Sequence, residues 1–232
     1  MLVYILILLG AWEGLTEKTD TCDVPSYVLC TPSVDERNRF PSNEDELNKF
    51  CPQFIQYQYC LRTYAEQCGE DSVNIHKFSF EFQQKIIDLS KELCEKDSAL
   101  HSTVVEHIGC LYNVTEYYSG DCYNNTRNKL GKIIEYIEKL EEGNLAANGY
   151  EHELWQSVDC LFEAHLMACF LGETHEKCGL ATKELILQLL DRIEYFQQYC
   201  PSTQHEDIQK LMKVMELDVE EEKSLKEFIY ME

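Results

Sequence analysis

Apolar residues recur along this chain at three- and four-residue intervals, and no stretch sustains the strict alternation of a half-buried strand. Leu47, Phe50, Phe54, Leu61 and Tyr64 share one broad helical face, and Phe82, Ile86, Leu89 and Leu93 share another. The pattern returns in Leu154, Val158, Leu161, Phe162 and Leu166, followed by Ile186, Leu189, Leu190, Ile193 and Phe196. Further helices are predicted over about 99–118 and about 127–142, the latter carrying Leu130, Ile133, Ile134, Ile137 and Leu140, with a last pair after Pro201. Capping boxes at Asn148 with Glu151 and at Thr203 with Glu206 predict starts; Gly69, Gly120, Gly143, Gly172 and Gly179 predict stops. With only five prolines besides, the fold class is all-α.

Two stretches repeat. CPQFIQYQYCLRTYAEQCG, residues 51–69, has cysteine gaps of eight and seven; CLFEAHLMACFLGETHEKCG, residues 160–179, has gaps of eight and eight. Both end in Cys-Gly, and each is followed by an apolar-periodic stretch that reaches another cysteine, Cys94 or Cys200. An internal duplication of antiparallel helical hairpins explains this better than a register through Cys60, Cys110 and Cys160, which does not preserve the following gaps. The expected architecture is a disulfide-linked helical bundle of two related hairpins plus connecting and C-terminal helices. Its expected divisions are a signal peptide over 1–14, a cysteine-containing segment over 15–46, a first helical unit over 47–143 and a second over 144–232, with 141–149 as the seam.

The spacing constrains the bonds. Cysteines nine apart on a helix are rotated by about 900°, equivalent to about 180°, and lie about 13.5 Å apart. Cys51 cannot therefore bond Cys60, nor Cys160 bond Cys169, because a disulfide needs α-carbons within about 7 Å. In an antiparallel hairpin the start of one helix lies beside the end of the next, which pairs Cys51 with Cys94 and Cys160 with Cys200. Cys169 is then expected to bond Cys178 across the end of its helix, and Cys60 and Cys68 to bond each other or Cys110 and Cys122. Cys22 and Cys30 are placed to close a small N-terminal loop. Twelve cysteines admit many pairings, and sequence alone does not choose among them.

All twelve lie at or beyond Cys22, outside MLVYILILLGAWEG, whose apolar run of about ten residues has the length of a signal-peptide core and is too short to span a bilayer. Scattered cysteines at this density fit an oxidising compartment, so secretion is the expectation. The sequons Asn113-Val114-Thr115 and Asn124-Asn125-Thr126 make Asn113 and Asn124 candidate glycosylation sites. A formal charge of −22, spread along the chain, repels nucleic acid and anionic membranes and suits a partner with a basic surface.

Catalytic and metal motifs are absent from the linear sequence. Without a Cys-x-x-Cys pair, and with cysteines on opposite helix faces, one ion cannot reach two of them. His165 with Cys169 and His107 with Cys110 have same-face spacing, which a bonded cysteine beside an ordinary helix histidine explains more simply. The His-Glu pairs at His152, His175 and His205 lack the second histidine of the zinc-protease helix. There is no nucleophile elbow, phosphate loop, dinucleotide fingerprint or Cys-Cys-x-x-His-Asp phospholipase arrangement. Tyr117 and Tyr118, among fourteen tyrosines, could line an apolar pocket. No cofactor and no metal ligand is assigned.

The run from CPQFIQYQYCLRTYAEQCG through KELC and GCLYNV to CLFEAHLMACFLGETHEKCG resembles the secreted cysteine-rich helical proteins of arthropods, typified by insect haemolymph glycoproteins and their spider and tick relatives. The resemblance covers about residues 47–200 and lies in the cysteine pattern. It implies an extracellular helical glycoprotein of haemolymph, saliva or venom. The functional expectation is a secreted, non-enzymatic protein that binds a small apolar ligand or a basic protein surface. The alternative is a secreted hydrolase or metal-dependent enzyme whose site combines histidines and carboxylates from different helices.

Overall fold

A computed structural model describes residues 21–30, 40–73, 79–142 and 150–229, except for the side chains of 21, 141–142 and 150–153. Ten α-helices and no strand occur among the described residues. The protein is a disulfide-linked all-α fold. The chain divides into two compact units, Met1–Glu116 and Tyr117–Glu232. The proposed leader and the Asn148 capping box lie outside the described residues.

The first unit contains α1 (Ser26–Cys30), α2 (Glu44–Cys68), α3 (Phe80–Cys94) and all but the last residue of α4 (Ala99–Tyr117). Helix α2 begins where the Asn43 side chain accepts the Glu46 amide at 3.0 Å, while the Glu46 carboxylate reaches back to the Ser42 amide at 2.8 Å. The two contacts satisfy amides that a helix start leaves without intrahelical partners. It ends at Gly69, whose φ of 90° and ψ of 152° suit a residue without a β-carbon. Ser79 caps α3 by accepting the Phe82 amide. The predicted faces of α2 and α3 meet: Leu47, Leu61, Tyr64, Phe82 and Leu89 are buried, and Ile87 beside them is fully so.

In the second unit, α5 (Ser119–Glu142), α7 (Leu180–Arg192), α8 (Tyr195–Tyr199), α9 (His205–Val214) and α10 (Val219–Ile229) all pack on α6 (Tyr150–Cys178). That central position explains the composition of α6. Leu161, His165, Leu166, Met167 and Leu171 are buried around much of its circumference, as expected for a helix with neighbours on several sides.

Several sequence expectations are corrected. Helix α5 starts at Ser119 rather than near 127 and passes through Gly120, and α6 runs through Gly172 to Cys178. An internal glycine costs a helix only about 1 kcal/mol, which packing along its length outweighs. Thr203 lies in a 3₁₀ turn, Ser202–Gln204, and α9 begins at His205 without a side-chain cap. The second hairpin's return helix is not continuous: Glu194 adopts a left-handed conformation, φ 52° and ψ 42°, between α7 and α8. The units divide between Glu116 and Tyr117, upstream of the 143/144 boundary, because α5 packs against α6.

Candidate functional site

Each unit is organised around a helix that carries cysteines on opposite faces. On α2, Cys51 bonds Cys94 at the end of α3, with α-carbons 5.6 Å apart. Nine residues on, Cys60 faces the other way and bonds Cys30 of α1 at 5.4 Å, and Cys68 bonds Cys22 at 5.4 Å. On α6, Cys160 bonds Cys200, and nine residues on Cys169 bonds Cys122 of α5. Cys110 and Cys178 are also disulfide-bonded, so no cysteine is free. The two outer bonds, Cys51–Cys94 and Cys160–Cys200, have the pairing predicted from hairpin geometry.

The remaining expectations fail for a common reason. Cys22 and Cys30 do not close a loop with each other, because their segment lies along α2, where the Tyr64 hydroxyl donates to the Val24 carbonyl at 3.0 Å. Cys60 and Cys68 do not bond each other, since eight residues of unbroken helix separate them by about 12 Å, and their partners are Cys30 and Cys22 rather than Cys110 or Cys122. Cys169 does not bond Cys178, because α6 is helical through both. The repeat therefore extends further upstream than the four-cysteine match suggests: in each unit, the second cysteine of the central helix bonds backward to a preceding helix. The faint signal was a cysteine upstream of each triplet, Cys30 before the first and Cys122 before the second.

The histidines occupy separate environments. His165 of α6 is buried, its Nδ1 2.9 Å from Thr126 Oγ1 on α5. Burial holds this imidazole below its usual range; the nearby Glu221 opposes that shift and Lys129 adds to it. His101 of α4 is buried, with Nδ1 donating to the Leu93 carbonyl at 2.8 Å and Nε2 lying 3.6 Å from a Glu44 carboxylate oxygen. His175 is exposed near the end of α6, His205 opens α9, and His107 is half-buried on α4. The side chain of His152 lies outside those described. Among the described residues, no group of three or more His, Cys, Asp or Glu side chains is placed to hold a metal ion.

Aromatic residues form contacts that sequence reasoning missed. The Tyr195 hydroxyl donates to Glu163 at 2.6 Å, and its ring lies 4.6 Å from that of Tyr199. Burial, with the adjacent Glu163 carboxylate, holds both hydroxyls well above the usual tyrosine range. In the first unit, burial pushes the Tyr57 hydroxyl up to about 12, and this oxygen has no hydrogen-bond partner. Tyr117 is exposed, and Tyr118 lies under the Lys177 ammonium, 5.3 Å from its ring centre.

Both candidate glycosylation asparagines face water: Asn113 on α4 and Asn124 on α5 are exposed. Another surface feature stands on α1, where Tyr27, Val28 and Leu29 are exposed in succession, as is Tyr59 on α2. The Cys30–Cys60 bond joins the residues next to these two positions. No helix among the described residues is long and apolar enough to cross a membrane. Comparison with known proteins returns nothing: no family model, no curated protein and no solved structure matches this chain.

Proposed function

We propose that this is a secreted, non-enzymatic glycoprotein of a body fluid or venom, and that it works by binding a protein partner with a basic surface. The carrying observation is the exposed apolar run Tyr27-Val28-Leu29, with Tyr59 beside Cys60, on a segment that a disulfide anchors to α2. Contiguous exposed apolar residues on a braced surface support recognition. The net charge of −22 selects for a basic partner and against nucleic acid. Complete oxidation of twelve cysteines fits an extracellular setting. The cysteine pattern's resemblance to secreted arthropod helical proteins supports haemolymph, saliva or venom as the source.

The test is affinity capture from the native fluid by the intact protein and by a Leu29→Asp/Tyr59→Glu variant. A basic protein retained by the intact form, released by raised salt and not retained by the variant, supports the reading. Equal retention by both forms overturns the assigned surface. A small apolar molecule that reproducibly copurifies, detected by native mass spectrometry, would transfer the binding role to a carrier function.

A further inference from the structure

We infer that Asn113 and Asn124 are N-glycan acceptors only before α4 and α5 pack, so that glycan transfer to this protein must precede folding. The inference rests on the glycoprotein reading above and adds an order of events to it. An Asn-x-Thr acceptor must present the asparagine amide and the threonine hydroxyl to one transferase. In an α-helix, positions i and i+2 are about 200° apart and do not face each other.

Both sequons are helical here, and both are split between water and core. Asn113 is exposed while Thr115 is 5% exposed. Asn124 is exposed while Thr126 is fully buried, its hydroxyl engaged with His165. Four residues before Thr126, the Cys122–Cys169 bond fastens α5 to α6. Reaching Thr126 in the folded protein would require breaking the Thr126–His165 contact and lifting a disulfide-tethered helix. The finished glycans, by contrast, need no space in the core, because both asparagines already point outward.

The chemistry needs one co-reactant, an oligosaccharide on a polyprenyl-diphosphate carrier. The asparagine Nδ2 forms the bond to the sugar C1, the C1–O bond to the carrier breaks, and the diphosphate leaves with the electron pair. The amide proton passes to a base of the transferase.

The experiment offers two forms of the full chain, oxidised and folded or reduced and unfolded, to solubilised oligosaccharyl transferase with its lipid-linked donor. Asn113→Gln and Asn124→Gln variants assign the added mass to each site. The expected result is two glycans on the unfolded chain and at least tenfold less transfer to the folded chain. Equal transfer to both forms overturns the order of events while leaving the glycoprotein reading intact. No transfer to either form overturns both. Transfer to the unfolded chain alone in this assay, with no glycan on the chain when it is expressed in animal cells, supports the order of events and overturns the glycoprotein reading instead.

Discussion

At the scale of single residues, what matters is whether a buried polar atom has a partner. Thr126 and His165 satisfy each other across α5 and α6. Thr126→Val would leave the His165 nitrogen buried and unpaired, a loss of about 1–3 kcal/mol measurable by urea denaturation. Tyr57 is the opposite case: its hydroxyl is buried without a hydrogen bond, so Tyr57→Phe is expected to leave stability unchanged or raise it by about 1 kcal/mol in the same assay. His165 also carries a pH dependence. Its folded-state affinity for protons lies below the ordinary value of 6.5, so the unfolded chain binds the proton more readily. The associated stability is fully present above about pH 6.5 and is lost as pH falls from there through the lower folded value. Denaturation midpoints of the intact protein should fall across that window, and His165→Gln should flatten the slope there. The i, i+4 spacing of His165 and Cys169 was legible in sequence; the Thr126 partner, 39 positions away, was not.

At the scale of elements, local periodicity correctly indicated helices but not their breaks. Ile193 and Phe196 continue the apolar stripe of α7 in sequence, yet the chain turns between them at Glu194. The turn leaves both residues in the core and brings Cys200 to Cys160. A left-handed glutamate costs about 1–2 kcal/mol that a glycine would not, so Glu194→Gly is expected to raise the urea midpoint. Gly179→Ala should do the reverse, by about 1–3 kcal/mol, because φ 83° with ψ 174° is open essentially to glycine alone and the connection from α6 to α7 has no other residue to absorb the change. The outer bridges close loops of 43 and 40 residues. In the chain-entropy view each contributes about 4 kcal/mol, nearly equal for the pair. Cys51→Ser/Cys94→Ser and Cys160→Ser/Cys200→Ser should therefore destabilise to similar extents, while peptide mapping without reduction should recover both bonds from the intact chain.

At the scale of the whole molecule, charge opposes the compact state. Lys129 pairs with Glu221 at 2.8 Å, and Lys132 pairs with Glu216. Such partly exposed pairs contribute about 0–1 kcal/mol each, whereas forty-two acidic residues against twenty basic ones repel one another throughout. Screening should thus help more than it harms: the melting temperature is expected to rise between about 10 mM and about 150 mM sodium chloride, over which the Debye length contracts from about 30 Å to about 8 Å. A fall in melting temperature over that range would show that the ion pairs outweigh the repulsion.

What sequence determined by itself was whatever depends on one helix or one hairpin. The 3.6-residue period placed the helical segments, and the rotation across nine residues set Cys51 and Cys60, like Cys160 and Cys169, on opposite faces. Hairpin geometry then selected Cys94 and Cys200. Only the tertiary structure decided the partners of Cys22, Cys30, Cys122 and Cys169. Loop-closure entropy could not have done so: between separations of 30 and 47 residues it changes by about 0.4 kcal/mol, too little to favour one cysteine over another. The choice fell to which segments dock on α2 and α6, and docking is a property of packed surfaces far apart in sequence. The same reason hid the Thr126–His165 contact, the break at Glu194 and the burial of both sequon threonines.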